Sequence, residues 1–444
     1  MKTQFLNILF CLIMPLAIFS QDAGGDNIWT FEECIQYALK QNIQVRKSEL
    51  ANQSNLLNIE YTQAQRLPSL NASIHQNFNW GNQEDLTTNE TDFRGSNNTN
   101  YSLNSSVTLY NGFSLSNRIK QARIDYESGN YNSETIKESV SMSILDAFLQ
   151  VLFTEEQVKN CERQLESTLE QLNLAEERLS LSIISQSDYL QVKSQLASEK
   201  LALANAQSQF AIAKVNLMQL MELPVSDDFT FEHPRLDDFT NQGRAPEAKS
   251  VFSKALEIKP QIKNAILNKE SATTDEKIAR AGYFPALSLS AGLGTGYSSL
   301  TDDPGYFGQL NNQINPSVGL SLSIPIFQKK QVKTNVSNAR IGIQNAELSE
   351  TEVKNQLRKE IEQACVDVTS AQIEYEASQE QYQANQESYA LATEKFEQGL
   401  INSVDYLFEK TNLIVAESQL LQSKYNLIFS YKILDFYTGV PLTL

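Results

Sequence analysis

The 444-residue chain has few of the residues on which nucleic-acid-binding proteins and most enzymes depend. Lys and Arg number 36 against 53 Asp and Glu, a formal net charge of −17, and no Lys/Arg-rich run occurs. Phosphate backbones need basic patches, so nucleic acid is excluded as a partner. The two histidines, His75 and His233, lie far apart and leave too few groups for a metal triad or a Ser-His-Asp arrangement. We therefore expect no enzyme activity, no metal site and no cofactor.

Cysteines and long apolar runs are also scarce. Four cysteines, scattered along the chain, give neither a disulfide framework nor metal-ligand spacing. After residue 20 no stretch approaches the ~20 apolar residues that a membrane-spanning helix needs. Before that point Lys2 precedes an apolar run that ends at Ser20, a pattern typical of a secretory signal peptide over residues 1–20. Cys11 stands inside this run behind bulky residues, so lipidation is not expected.

The rest of the sequence contains an internal repeat. When the sequence is shifted by 217 residues, several short segments align with similar segments, and no gap is needed between them. The clearest matches are Leu67-Pro68-Ser69-Leu70 with Phe284-Pro285-Ala286-Leu287, Asp188-Tyr189-Leu190 with Asp405-Tyr406-Leu407, and Pro224 with Pro441. The sequence therefore predicts a first repeat over 21–224, a polar connector over 225–245 and a second repeat over 246–444.

Each repeat predicts two β-strands after a first helix, which in the first repeat covers about 30–65. In four segments apolar residues alternate with Ser, Asn and Gly, the period of a strand. The apolar positions are Leu70, Ala72, Ile74, Phe78, Trp80; Tyr101, Leu103, Val107, Leu109; Leu287, Leu289, Ala291, Leu293; and Val318, Leu320, Leu322, Ile324, Ile326. Such uncharged segments of about 9–11 residues suit membrane strands, with one face on lipid and one on water. The half-buried sheet of a soluble protein is the alternative.

Long helices follow each strand pair. No proline interrupts Pro68 to Pro224 and no glycine interrupts Gly129 to Gly243, so a helix can run from 114 to 179, about 100 Å. Positions spaced three and four apart from Val158 to Leu179 form a coiled-coil seam, and the same frame moved by 217 runs from Tyr375 to Phe396. Leucines at intervals of seven mark the returning helices. Each repeat is thus predicted to fold as a long antiparallel helical hairpin.

Four strands cannot close a membrane barrel, because the smallest such barrels have about eight and an open edge in lipid leaves backbone groups unsatisfied. The barrel must then be shared between chains. Two copies would give eight strands and three would give twelve, which leaves an open lumen. Small Ser, Gly and Asn residues on the inner faces favour the larger ring. The predicted fold class is a mixed α/β membrane protein with long helical hairpins, four barrel strands per chain and an internal repeat.

These features resemble the TolC-like outer-membrane efflux proteins over nearly the whole mature chain. The most specific signatures are the strand entry Arg66-Leu67-Pro68-Ser69-Leu70 and the segment from Gly399 to Leu407, which is similar to the family's G-x-x-x-x-x-D-V-L hairpin tip. The resemblance implies a homotrimer with a twelve-stranded barrel in the outer membrane and a helical tunnel through the periplasm. It implies outer loops at 81–98 and about 298–313. The connector and the segment 30–65 would form a belt around the tunnel.

The resemblance also implies roles for residues at the hairpin tips. Asp405 matches an aspartate that rings the periplasmic constriction, and Asp188 matches a position that helps to hold the tips shut. Phe396 and Phe408 stand where other members place a tyrosine and a second aspartate, and Ile401 where they place an arginine, so the same salt-bridged lock is not expected. The segments implied to contact the adaptor are Leu181-Ser182-Ile183 and Gln398-Gly399-Leu400. The alternative for both aspartates is a helix N-cap.

Two functions of different class remain at this stage. The first is the exit duct of a tripartite efflux or type I secretion system, working with a periplasmic membrane-fusion adaptor and an inner-membrane pump of the RND or ABC type. Outer-membrane lipid would surround its barrel. The second is a non-conducting coiled-coil stalk with a structural or adhesive role. The strict duplication and the small residues on the inner strand faces favour the duct.

Overall fold

The computed structural model describes residues 28–84, 91–226, 229–234, 246–301 and 304–444. The predicted signal peptide, the centre of the predicted loop 81–98 and most of the connector 225–245 lie outside these residues. In chain order the elements are β1 (Ile28–Trp29), α1 (Phe31–Gln41), α2 (Ile43–Ala64), β2 (Ser69–Glu84), β3 (Thr91–Asn111), α3 (Ser114–Ser180), α4 (Gln186–Leu220), β4 (Thr230–Phe231), α5 (Ala248–Ile258), α6 (Pro260–Ala281), β5 (Ala286–Ser298), α7 (Tyr306–Asn312), β6 (Asn315–Ser323), α8 (Gln331–Glu397) and α9 (Ser403–Thr438).

The helix predicted over 30–65 is in fact two helices, so that prediction was wrong. Asn42 lies between them with extended backbone, and its side chain accepts a hydrogen bond from the Gln44 N–H at 2.9 Å. The Asn42 amide also donates to the Leu220 carbonyl at 3.0 Å, which ties the break to the end of α4. The second half breaks at Lys259, where Pro260 disfavours helical backbone in the preceding residue.

Corresponding helices in the two halves begin 217 residues apart. α1 and α2 begin at Phe31 and Ile43, and α5 and α6 begin at Ala248 and Pro260, each 217 positions later. α3 and α8 both contain 67 residues and are offset in the same way. The local geometry therefore follows the sequence offset from the first helix to the last.

The long strands form one antiparallel sheet in the order β2-β3-β5-β6. In the middle of the sheet residues of the same type face each other: Ser73 faces Ser102, with their hydroxyls 2.6 Å apart, and on the other face of the sheet Leu103 lies opposite Leu293. The predicted alternation is thus confirmed, with Ser, Asn and Gly on one face and apolar side chains on the other. The apolar face is open, since Leu70 is 69% exposed and Val318 is 79% exposed.

The predicted loops were too long. β2 continues to Glu84 and β3 starts at Thr91, so most of 81–98 is strand. The segment 298–313 contains α7, a short helix that the sequence pattern did not reveal. β6 ends at Ser323, before the predicted Ile326, because Pro325 has no N–H to donate to a strand ladder.

α3 packs along α4, and α8 packs along α9, as the heptad spacing predicted. Every residue of the seam from Val158 to Leu179 is buried or half-buried, and so is every residue of the seam from Tyr375 to Phe396. Within the described ranges no helix is both long and apolar enough to cross a membrane.

The main core lies midway along the long helices. α1, α3, α4, α9 and the short β1–β4 ladder meet there around a set of aromatic rings. Phe148 of α3 lies 5.5 Å from Phe31 and 6.1 Å from Phe231, measured between ring centroids. The described part of the connector thus packs against the middle of α3, next to the first helix.

Candidate functional site

The candidate site lies at the two hairpin tips, which turn in the same way. Ile183 N–H donates to the Arg178 carbonyl at 2.9 Å in the first tip, and Leu400 N–H donates to the Lys395 carbonyl at 2.8 Å in the second. This bond closes a helix end when the residue before the donor has left-handed backbone. Gly399 takes a φ of 74° there, but at the first tip Ser182 holds a φ of 56°.

The outermost side chains of both tips are apolar and open to solvent. Leu181, Ile183 and Leu400 are 64%, 66% and 68% exposed. The other residues expected to contact an adaptor, Ser182, Gln398 and Gly399, are exposed as well. The tips therefore offer a small apolar surface at the end of each hairpin.

Asp188 joins the two hairpins. Its backbone N–H and carboxylate form a capping box with Ser185, in which the carboxylate accepts from the Ser185 N–H at 3.2 Å. The other carboxylate oxygen accepts a hydrogen bond from the Ser403 hydroxyl of α9 at 2.5 Å. The hydrogen bonds from Ser403 and Ser185 lower the pKa of Asp188. The Asp188 carboxylate therefore stays charged while it accepts the hydrogen bond from the second hairpin.

Asp405 occupies the corresponding position of the second tip but makes no such contact. Asn402 is the N-cap of α9 and accepts from the Asp405 N–H at 2.9 Å. The Asp405 carboxylate is exposed, and no hydrogen bond or ion pair joins it to any residue that the structure describes. The N-caps are Ser185 and Asn402, so the interpretation of the two aspartates as N-caps was wrong; Asp188 contributes to a capping box from within the first turn.

Three buried polar side chains of α9 face the first hairpin. They are Ser403, Tyr406 and Lys410, exposed by 2%, 4% and 4%. Their spacing of three and four residues places them on one face of the helix. Ser403 bonds Asp188 as described above, and the Tyr406 hydroxyl accepts from the Gln171 amide at 2.6 Å. The Lys410 ammonium lies 3.4 Å from the Glu199 carboxylate and also donates to Thr168.

The aromatic side chains of the second tip pack around Tyr406. The Phe396 ring stacks on the Tyr406 ring with centroids 4.7 Å apart, and the Tyr389 and Tyr406 hydroxyls are 2.7 Å apart. Burial, together with the bond to Tyr389, raises the pKa of Tyr406. The hydroxyl therefore stays neutral. Phe396 supplies packing where a tyrosine would supply another hydroxyl.

A cavity of about 830 Å³ separates the hairpins near the tips. Asp188 and Phe396 both line it, together with Gln171, Tyr389 and Tyr406. Asp405 and Phe408 do not, and Phe408 is 62% exposed. The structure thus brings together two of the four residues predicted for the gate and leaves the other two on open surface.

The Ser403–Tyr406–Lys410 face of α9 was not predicted from the sequence. The sequence pattern does indicate such a face. After the second tip, polar residues occur at intervals of three and four, where a coiled-coil seam would have apolar ones. Which side of α9 meets the first hairpin depends on helix rotation, and this could not be read from spacing. No group of three or more potential metal ligands occurs among the described residues.

Known outer-membrane proteins are similar to this chain in sequence. The family model for outer membrane efflux proteins matches residues 34–222 and 251–440. The pyoverdine export outer membrane protein OpmQ of Pseudomonas aeruginosa is 28% identical over 207 residues, 46% of this chain and 40% of OpmQ. Its counterpart in Pseudomonas putida is 26% identical over 239 residues, 54% of this chain and 47% of that protein. The chain thus aligns with about half the length of these relatives.

Solved structures share the fold. CusC superposes with a TM-score of 0.76 at 18% identity, covering 93% of this chain and 92% of CusC. The CmeC outer membrane channel of Campylobacter jejuni gives 0.76 at 17% identity, covering 92% and 85%. The long hairpins and the four-stranded sheet are thus those of the TolC-like channels.

The chain belongs to the outer membrane efflux protein family, which matches it across both halves. It is accordingly an outer-membrane protein of a Gram-negative bacterium.

Proposed function

We propose that three copies of the chain form an efflux channel: a twelve-stranded barrel in the outer membrane, continued by a helical tunnel in the periplasm. The observation that carries this proposal is the open four-stranded sheet, in which β2 and β6 each lack a partner strand on their outer edge among the described residues. In lipid, unpaired strand edges are not tolerated. Pairing β6 of one copy with β2 of the next closes a ring, and twelve strands leave an aqueous lumen.

The two faces of the sheet support this arrangement. The open apolar face would meet lipid, and the face of Ser, Asn and Gly would line the lumen. Tyr306 of α7 contacts both Tyr101, midway along β3, and Tyr297, near the end of β5, while Tyr110 and Phe113 contact each other next to α3. From Tyr101 to Tyr110 the strand rises about 30 Å, or about 25 Å when tilted, the height of the apolar band in membrane barrels.

The helices support the tunnel. A helix of 67 residues is about 100 Å long, and α3 and α8 are both of this length. The constant offset between the starts of corresponding helices supports an internal duplication, in which each repeat contributes one hairpin to the tunnel wall. Six hairpins in a trimer would then surround one axis.

The tips support a periplasmic gate and a docking site. The exposed apolar residues Leu181, Ile183 and Leu400 would contact the hairpin of a periplasmic adaptor, which links the channel to an inner-membrane pump. Asp405, whose carboxylate is exposed, would appear three times around the axis and favour cations. The pump would supply the energy, and this chain the path.

We propose small soluble molecules as the cargo, supported by the relatives that are named for pyoverdine export. A strain lacking the chain should then accumulate a fluorescent small-molecule efflux substrate, while its protein secretion stays unchanged. Lost protein secretion with normal efflux would reverse this assignment.

Cross-linking of the sheet edges tests the closed barrel. In a chain whose native cysteines are replaced, Ser69→Cys on β2 and Ser323→Cys on β6 should link neighbouring copies into a covalent trimer. The matched control is Ser106→Cys with Ser290→Cys, which face each other inside one sheet and should leave the chain monomeric on a denaturing gel. A folded edge variant that forms no trimer, or only a dimer, would contradict the proposal.

A further inference from the structure

Basic side chains are concentrated where the strands join the helices, although the chain is strongly acidic overall. Lys120 and Arg123 lie in the first turns of α3, Lys333 and Arg340 in the first turns of α8, and Lys277 and Arg280 in the last turns of α6. Arg66 precedes β2, and Lys329 and Lys330 precede α8. All lie within about 15 Å of a strand end. We call this set of nine side chains the basic collar.

The collar residues face one side of the helices. One groove at this level is lined by Asn111 and Ser323 of the polar sheet face, together with Arg118. A second groove is lined by Leu67 with Arg66, Lys120 and Arg123, and by one carboxylate, Glu60. Two residues along a helix turn the side chain by about 200°, so Lys120 points away from the groove that Arg118 lines.

The same rule places the collar residues of α6 and α8. Asp275 and Asn335 line the same groove as Arg118. Lys277 and Lys333 are each two residues away and therefore face the opposite side. Because the first groove continues the polar sheet face at Asn111 and Ser323, we expect the opposite side to continue the apolar face, the face proposed to meet lipid.

Few carboxylates neutralise the collar. Glu270 bonds Lys120 at 2.7 Å, and Glu276 bonds both Arg280 at 2.7 Å and Arg340 at 2.9 Å. The other collar cations of α3, α6 and α8, and Arg66, are exposed, and no carboxylate of the described residues forms an ion pair with them. These unneutralised side chains are Arg66, Arg123, Lys277 and Lys333.

The turn before α8 adds a second observation. Lys329 and Lys330 have φ values of 48° and 66°, a left-handed backbone that side chains disfavour. Glycine occupies the equivalent of Lys329 in the first half, as Gly112 with a φ of 65°. Strain of this kind persists mainly at functional positions. Just before the two lysines, Ile326 and Phe327 are 95% and 81% exposed, as is typical of a segment at a membrane interface.

We infer that the basic collar binds the phosphate groups of anionic phospholipids in the periplasmic leaflet of the outer membrane. This inference rests on the proposed insertion of the strands in the membrane. An apolar face bordered by Lys and Arg that form no ion pair with described residues matches a bilayer, whose hydrocarbon core is bordered by phosphate headgroups, and each basic side chain near an anionic surface adds attraction. The collar would fix how deeply the barrel sits.

Lipid capture by the full-length purified protein tests the inference. From an equal mixture of phosphatidylglycerol and phosphatidylethanolamine, native mass spectrometry should show the anionic lipid retained about tenfold over the zwitterionic one. The collar variant Arg66→Gln/Arg123→Gln/Lys277→Gln/Lys333→Gln should retain both about equally. All four positions are exposed, so the fold should be unaffected, as the oligomer mass would confirm.

A control variant removes the same charge elsewhere. Lys200→Gln/Lys254→Gln/Lys359→Gln/Lys395→Gln changes four exposed lysines of the helices far from the strands and should keep the wild-type preference. Lys329→Gly, which relieves the backbone, should raise thermal stability and still lower anionic lipid retention. The inference is overturned if the collar variant keeps the preference or if the control loses it equally.

Channel current separates this inference from the proposed function. Wild type, collar variant and control should all conduct in bilayers of neutral lipid. Current from all three without an anionic preference in the wild type would end the lipid inference alone. Absence of current from the wild type would instead count against the proposed channel.

Discussion

The first turns of α4 and α9 carry the same residue types 217 positions apart but lie in opposite surroundings. Tyr406 and Lys410 of α9 are buried and bonded to the first hairpin. Lys193 of α4 is exposed, and its ammonium contacts only the ring of Tyr189 among the described residues, at 5.8 Å from the centroid. The aspartates show the reverse, since Asp188 is bonded across the hairpins and Asp405 is not.

We infer from this difference that one chain contains only one of two related contacts. Inside the chain, α9 meets the first hairpin. In the proposed trimer, α4 of the next copy would meet the second hairpin in the same way and bring its Gln186 to Asp405, as Ser403 comes to Asp188. The free surface of α4 and the free carboxylate of Asp405 are then two halves of one contact.

The largest effect should come from the buried ion pair. Lys410→Met leaves the Glu199 carboxylate buried without its cation and should lower the free energy of unfolding by about 3–5 kcal/mol. Lys193→Met changes an exposed group and should cost about 0.5 kcal/mol or less. Urea unfolding followed by circular dichroism measures both. Adding Glu199→Leu to Lys410→Met should recover most of the loss; equal losses at 193 and 410 would refute the comparison.

A smaller loss is expected from the tyrosine hydroxyls. Tyr406→Phe removes the shortest hydrogen bond of the Gln171 amide, which keeps only the Ser167 and Tyr389 hydroxyls at 3.4 Å, and should cost about 1–2 kcal/mol in the isolated chain. Tyr189→Phe should cost almost nothing in the isolated chain and become costly only after assembly. Comparing the unfolding of monomer and oligomer in detergent separates the two cases, and a large cost of Tyr189→Phe in the monomer would break the comparison.

The aspartates should separate stability from conduction. Asp188→Asn weakens the bond to Ser403 and should cost about 1 kcal/mol. The Asp405 carboxylate has no hydrogen bond or ion pair to lose among the described residues, and we expect Asp405→Asn to raise the resting conductance or weaken block by cations. If Asp405→Asn altered neither, its gating role would have to be abandoned.

The pH dependence of the hairpin contact follows from Asp188. Its pKa is lowered in the folded chain by the bonds from Ser403 and Ser185. Its contribution to stability is therefore present above its ordinary pKa and is lost as the pH falls through the lowered value. The difference in stability between wild type and Asp188→Asn should stay constant at neutral pH and shrink only in strong acid. A difference that vanished already near pH 6 would show that another group controls the contact.

The smallest effect concerns the turns themselves. Ser182→Gly relieves left-handed backbone and should stabilise the first tip by up to about 1 kcal/mol, whereas Gly399→Ala should destabilise the second by about the same amount. The melting temperatures of the two variants should shift in opposite directions. A shift in the same direction would mean that the tips do not share one geometry in solution.

Much of this architecture could be predicted from the sequence, because helices and strands have different periods. The absence of proline, and of glycine after Gly129, predicted α3 almost to the residue, and alternation predicted both faces of the sheet. The break at Asn42 was missed because its cap and its bond to Leu220 depend on a distant helix end. α7 was missed because seven residues show no period.

The site was predicted less well. Spacing identified both tips and both aspartates, but Asp188 and Asp405 look alike in the sequence. Their difference arises from packing, since Ser403 stands opposite Asp188 and no described residue stands opposite Asp405. Contacts between hairpins depend on how each helix is rotated, and local pattern does not encode this.

The most direct test of the account is the single-channel current of the purified protein in a planar bilayer, measured beside its oligomer mass. The account predicts a trimer that carries small, cation-favouring currents, which grow or lose their cation block in Asp405→Asn. A monomer or dimer without current would contradict it and would favour a non-conducting stalk.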